Sequence, residues 1–187
     1  IVIPSSVKEI GDWAFFSCTS LQSVKLSNGI SKIGNSTFYF CENLKSIIIP
    51  NSVEEIGGWA FQDCISLRSV KLSNGITKIG SLAFQGCVNL KSIIIPNSVK
   101  EIGGWAFQDC ISLKSVKLSK GLEMLFYDAF GDCENLRTVY FNSVPSEIYS
   151  DFQNCPNLQT IYVPRGTKAK FAAMVGLKDH VDKLVEK

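Results

Sequence analysis

The sequence predicts a repeat solenoid. The expected form is a right-handed superhelix with a parallel sheet of one short strand per coil, short helical or 3-10 turns on the opposite wall, and a small helical C-terminal cap. Three observations point there. The run Asn89–Leu113, NLKSIIIPNSVKEIGGWAFQDCISL, already occurs at Asn43–Leu67 with one change, Glu54 for Lys100, at an offset of 46 residues. Cysteine marks half that step: Cys18, Cys41, Cys64, Cys87, Cys110 and Cys133 lie 23 apart, and Cys155 follows after 22. The pattern L-x-x-[VI]-x-[LI] recurs in each coil. Self-similarity at a fixed period of roughly 20 to 50 residues is the mark of repeat architectures.

Aligned on 23 residues, the chain resolves into columns. One reads Ile1, Val24, Ile47, Val70, Ile93, Val116, Val139, Ile161. Two residues on stand Ile3, Leu26, Ile49, Leu72, Ile95, Leu118, Phe141, Val163, and three before stand leucines from Leu21 to Leu158. This alternation of β-branched and apolar residues is that of a short, half-buried strand. Pro4, Pro50, Pro96 and Pro164 close alternate strands, where no ladder donor is needed. Asn28-Gly29 and Asn74-Gly75 turn the others, as residues that accept positive φ. An apolar pair follows, such as Val53/Ile56, and then a glycine column, Gly11, Gly34, Gly57, Gly80 and Gly103, which fits a tight corner. Phe15, Phe38, Phe61, Phe84, Phe107, Phe130 and Phe152 complete the coil with the cysteines. One coil has too few apolar side chains to offset the entropy of ordering its residues. Stacking supplies the rest by sealing both faces of each coil.

The repeated LKSIIIPNSVKEIGGWAFQDCISL resembles the BspA-type leucine-rich repeat, also described as the Treponema-type repeat. The resemblance covers about residues 1 to 164 in seven or so copies. The asparagine column that ordinary leucine-rich repeats place after the strand is absent, and Phe-x-x-Cys is characteristic of the BspA type. The family's proteins are mostly bacterial and protist surface or secreted proteins. The resemblance therefore implies a leucine-rich-repeat-like fold and an extracellular ligand-binding or adhesion module, not a catalyst.

The chain divides into a solenoid, 1–164, and a cap, 165–187. The last coils degrade: Leu125-Phe126 replaces Ile-Gly, and one residue is lost between Ile148 and Phe152. Beyond Pro164, Thr167 is placed to N-cap a short helix through Phe171 and Met174. A second helix from about Lys178 to Val185 would align Leu177, Val181 and Leu184. Both read as a cover for the last core face rather than as partner-binding helices.

With 45% apolar and 19% charged residues among 187, the chain folds. A net charge of +2 gives no bulk attraction to nucleic acid or membrane, and no apolar run reaches the length of a membrane span, so neither partner is expected. No signal peptide is evident and the chain opens inside a repeat, which reads as a fragment of a longer protein. The uncapped first coil makes pairing of two copies through the N-terminal face an expectation. The seven cysteines form no Cys-x-x-Cys pair, and their shared context reads as buried packing thiols; rungs about 4.8 Å apart leave a stray disulfide open. The sequence implies no metal and no cofactor. The lone histidine, His180, lies in the cap, away from any serine or cysteine partner on the repeat face. No phosphate loop or dinucleotide fingerprint occurs, and no paired carboxylates stand apart from the repeat. The reading is non-enzymatic.

Residues between the inward strand positions point outward. One outward column is Val2, Lys25, Ile48, Lys71, Ile94, Lys117, Tyr140, Tyr162, beside a hydroxyl column from Ser23 to Thr160. On the flank lie Lys45, Arg68, Lys91, Lys114 and Arg137 in consecutive coils. Like charges at strand spacing repel. Two readings stand: cations splayed into water, or a basic groove for an acidic ligand. The candidate ligand-binding residues are these two columns from Lys25 and Lys45 onward. Glu9, Lys32, Glu55, Lys78 and Glu101 alternate in sign and hold register without a ligand. Trp13, Trp59 and Trp105 recur every second coil and read as wall packing more than as sugar-stacking platforms.

Two functions compete. The first is extracellular or cell-surface recognition of a host or neighbouring-cell surface protein, or of an acidic glycan, through the strand face. The alternative is a structural spacer that presents another domain of a longer surface protein.

Overall fold

A computed structural model of the chain describes residues 1–149 and 152–187. The coils stack with their strands parallel and in register. Ser46–Ile48 pairs with Ser69–Lys71, and Ser92–Ile94, Ser115–Lys117, Thr138–Tyr140, Thr160–Val163 and Leu184–Glu186 continue as a separate five-stranded sheet. Single bridges, Val2↔Lys25 and Ser23↔Ser46, carry the pattern into the first coils. Inward residues such as Ile47, Ile93, Val116, Val139 and Ile161 are buried, and their neighbours face solvent. The lost residue between Ile148 and Phe152 falls at Ser150 and Asp151, outside the described residues.

The coil carries a second strand where the sequence suggests one. Among the described residues, seven two-residue strands run Glu9–Ile10, Lys32–Ile33, Glu55–Ile56, Lys78–Ile79, Glu101–Ile102, Met124–Leu125 and Glu147–Ile148 in one sheet. A two-residue strand shows no alternation, so periodicity cannot reveal it. Its inner residues are buried isoleucines and Leu125. Its outer residues are the sign-alternating column, stacked Glu9↔Lys32↔Glu55↔Lys78↔Glu101, with ion pairs of 3.5 Å for Lys32–Glu55 and 3.4 Å for Lys78–Glu101.

The opposite wall is built of turns rather than helix. Alternate amides bond along the chain and along the axis. Gln62 N–H donates to Trp59 O three residues back, whereas Trp59, Phe61 and Asp63 donate to Ser81, Ala83 and Gln85 of the next coil. Two residues per coil take left-handed backbone to allow this. One column is Trp13, Ser36, Trp59, Leu82, Trp105, Asp128; the other is Ser17, Phe40, Asp63, Gly86, Asp109, Asp132, Asn154. Each non-glycine costs about 1–2 kcal/mol, offset by an axial hydrogen bond that would otherwise go unmade.

Apart from Gly86 and Gly166, the described glycines do not take positive φ, and those of the corner and Asn-Gly columns, Gly11 excepted, serve close approach between coils. A Cβ on Gly57 would sit 2.7 Å from Asn35 N, and one on Gly75 would clash with Asn51 O. Gly29 and Gly75 are thus not the left-handed turn residues that the Asn-Gly pairs suggest.

Inside, like packs on like. The phenylalanines from Phe15 to Phe130 stack with centroids 5.1–5.2 Å apart and planes within 10°. Such pairs add about 0.5–1.5 kcal/mol each beyond area burial. No disulfide joins the seven cysteines; six are buried and Cys18 is exposed. Each buried thiol donates to the phenylalanine carbonyl of the preceding coil, as from Cys41 Sγ to Phe15 O at 3.1 Å and Cys87 Sγ to Phe61 O at 3.3 Å. Asn43, Asn89, Asn135 and Asn157 donate side-chain amides to carbonyls of the preceding coil at 2.7–2.8 Å. The asparagine ladder missing after the strand therefore stands before it. Gln62, Gln85 and Gln108 form a half-buried amide chain that ends on Asp132.

The cap differs from the two-helix expectation. A helix spans Lys168–Ala172 and buries Phe171 against Phe141. Thr167 holds the N-cap position, but its hydroxyl bonds Pro164 O, and Glu186 Oε1 accepts from Lys168 N–H at 2.8 Å. A 3-10 helix, Val175–Lys183, follows and buries Leu177. The chain then extends: Leu184–Glu186 pairs with Thr160–Val163, burying Leu184 and covering a sheet edge that a helix would leave unpaired.

Two outcomes follow for the thiols. A thiol reagent should modify one cysteine per chain promptly, Cys18, and all seven in denaturant; fast reaction of several in the native protein would contradict the ladder. Burial pushes the Cys41 thiol up to about 11 and also raises those of Cys64, Cys87 and Cys110 well above their ordinary value. Above about pH 9 the unfolded thiols release protons that the folded ones keep. The folded state then binds more protons, and stability falls as pH rises. The melting temperature should decline from pH 9 to 11, with a shallower decline in Cys87→Ala.

Candidate functional site

The strand face is the candidate. Stacking places Ile48 beside Lys71, and Ile94, Lys117, Tyr140 and Tyr162 in one line, with Val185 beyond. Lys25, Lys71 and Lys117 are exposed, as are Ile48 at 64% and Ile94 at 71%. Tyr140 and Tyr162 are half-buried and stacked 4.9 Å apart. On the flank, backbone bonds hold coil to coil: Arg68 N–H donates to Lys45 O at 2.9 Å, Lys114 to Lys91 O at 3.2 Å, and Arg137 to Lys114 O at 2.9 Å. All five flanking cations are exposed.

The two sheets thus carry charge differently. On the short-strand wall, lysines and glutamates pair, including Lys100–Glu123 at 3.2 Å. On the strand face, Lys25, Lys45, Arg68, Lys71, Lys91, Lys114, Lys117 and Arg137 form no ion pair among the described residues. No carboxylate occupies their columns. Cations carried on coils about 5 Å apart, with no ion-pair partner among the described residues, raise a positive potential that an anionic ligand would relieve.

Sequence reasoning missed two features of this face. The strand ladder splits between Ser69–Lys71 and Ser92–Ile94, which belong to different sheets. A hollow of about 450 Å³ lies there, lined by Val70, Leu72, Ile93, Arg68 and Lys71. Next to it, a hollow of about 430 Å³ is lined by Ile94, Lys117, Tyr140 and Lys187. Lys187 Nζ stands 4.3 Å over the Tyr140 ring and 5.5 Å from Tyr162, a cation–π contact that adds a further cation to the face. The tyrosines were readable in the sequence, but the reach of Lys187 depends on the added strand.

Other chemistry is sparse. His180 is half-buried in the 3-10 helix, edge-on to Phe152 at 6.1 Å. Among the described residues, no three His, Cys, Asp or Glu side chains are grouped to hold a metal. An acidic ridge runs beside the turn wall. Burial, then Asp132 and Glu134, raises the Asp109 carboxyl; burial, then Asp109 and Glu42, raises that of Asp63.

Six copies of the family model described as the BspA type leucine rich repeat region match residues 1–110 and 78–172. The chain belongs to the BspA-type leucine-rich repeat family. A leucine-rich repeat protein of T. pallidum is similar over 84% of this chain and 77% of its own, at 33% identity and a TM-score of 0.77. The pneumococcal vaccine antigen PcpA shares the fold over 87% of this chain and 61% of its own, at 20% identity and a TM-score of 0.54. No curated protein matches the sequence. BspA-type repeats form a binding-type repeat module, and among the described residues no helix is long and apolar enough to cross a membrane.

Asp109 has a raised carboxyl in a left-handed position that Asn154 fills two coils on. Asp109→Asn should raise the melting temperature by about 1–4 °C at neutral pH. The gain should shrink on acidification, as the wild-type carboxyl takes up its proton. A lower melting temperature at pH 7 would show that the carboxylate contributes to stability.

Proposed function

We propose that the protein is a non-catalytic recognition module that acts outside the cell or at its surface and binds an anionic ligand across the strand face. The ligand is an acidic patch on a host or neighbouring-cell surface protein, or an acidic glycan. The observation that carries this is the contrast between walls: the same repeat pairs its charges on one sheet and leaves them uncompensated on the other. Exposed Ile48 and Ile94 and the half-buried tyrosines add apolar contact area to the charge. The surface location rests on the habit of the family. The spacer reading is favoured by the uniform pitch of the stack, which suits a stalk.

An array of sulfated and sialylated glycans and of acidic proteins, probed at low salt, tests this. Binding should weaken steeply as salt rises, since exposed cations supply the attraction. Lys91→Glu with Lys114→Glu should lower affinity about tenfold or more. No binding above a scrambled-charge control would remove the proposal. Retention of every phenotype of the full-length protein after charge reversal at Lys45, Arg68, Lys91 and Lys114 would favour the spacer.

A further inference from the structure

We propose that the turn wall carries a second binding site, separate from the strand face: the evenly spaced row Trp13, Trp59 and Trp105, which takes an extended, neutral β-linked polysaccharide along the solenoid axis. The three indoles occupy one column in alternate coils. Their amides are tied to the next coil, Trp13 to Asn35 O at 3.0 Å, Trp59 to Ser81 O and Trp105 to Tyr127 O at 2.9 Å. The rings are therefore presented from a hydrogen-bonded wall. Adjacent coils lie 5.1 Å apart at the phenylalanine stack, so successive indoles stand about 10 Å apart, about the length of two sugar rings in an extended chain.

The fold itself does not require an indole at these positions. The coils between carry Ser36 and Leu82 in the same left-handed backbone, φ 52° and 58° against 56° and 57° for Trp59 and Trp105. Those coils bury their phenylalanine and cysteine equally well. Yet the indoles are 55%, 43% and 41% exposed. Trp13 has an edge contact with Phe16 at 5.2 Å, whereas Trp59 and Trp105 stack on no ring among the described residues. Each rests part of its surface on the wall and offers the rest to solvent.

The neighbours define the ligand. Ser36 and Leu82 lie between the indoles, and the Gln62–Gln85–Gln108 amide chain runs three residues further along each coil. These side chains are neutral. A ligand with apolar C–H faces and hydroxyl edges suits indoles and amides, and a linear polymer repeats, as the row does. A folded protein partner without repeats has no such period. Beyond Trp105, exposed Tyr127 and half-buried Tyr149 line a hollow of about 550 Å³ with Glu147, which extends the aromatic track toward the cap.

The test uses soluble cello- and chito-oligosaccharides of increasing length, read by indole fluorescence and calorimetry on the whole chain. Binding should shift the fluorescence. Affinity should step up about tenfold once the probe spans two indoles, because the second contact forms within an existing complex. Trp59→Leu should abolish that step, because it leaves no two neighbouring indoles of the row, whereas Trp105→Leu keeps the Trp13–Trp59 pair and should weaken only the longest probes, which reach all three; both should leave the melting transition in place, since leucine already occupies this backbone at Leu82. Lys91→Glu and added salt should leave it unchanged, which separates this site from the strand face. Absence of a fluorescence change with every probe, affinity independent of length, or undiminished binding by the leucine variants would overturn the proposal.

Discussion

Each coil advances about 5 Å, so every side chain meets its own counterpart one coil away. That constraint governs the rest of the molecule. A residue type survives in a column only if it tolerates a copy of itself at that distance. Phenylalanine does, by parallel stacking at 5.1 Å. Glutamine does, because an amide is donor on one side and acceptor on the other. Cysteine does when its proton goes to the carbonyl of the preceding coil rather than to a neighbouring sulfur. Charge does only by alternating, as along Glu55, Lys78 and Glu101.

Against that background, columns that break the rule stand out. The flanking run Lys45, Arg68, Lys91, Lys114, Arg137 repeats one sign in five successive coils. Its long side chains reach solvent, where screening lowers the cost, and the charge remains available to a ligand. The tryptophan column keeps exposed rings where serine and leucine serve the fold equally well. Neither column supports the stack, so their composition is free to answer to something outside the molecule.

Much of this was legible in the sequence because a fixed period converts a linear pattern into columns. The inward strand positions, the buried thiols, the alternating charges and the outward cations all follow from aligning residues 23 apart. What stayed hidden has local causes. The Glu-Ile and Lys-Ile strands are too short to alternate. The left-handed columns mix tryptophan, phenylalanine, leucine and serine with aspartate, so no single residue type marks them, and the Asn-Gly and corner glycines that look like turn markers serve close approach instead. The final strand, Leu184–Glu186, reads as helix by its spacing, and only the unpaired edge at Thr160–Val163 makes it extend. Lys187 reaches the tyrosine pair for the same reason.

Native-state hydrogen exchange tests the axial stack most directly. The amides of Phe61, Phe84 and Phe107 each donate to an alanine carbonyl one coil on, inside a sealed core. They should exchange together, at the rate of global unfolding, while Ala14 and Phe16 of the exposed first coil exchange far sooner. Exchange of the three phenylalanine amides within minutes, with slower exchange confined to the C-terminal helix, would contradict the account.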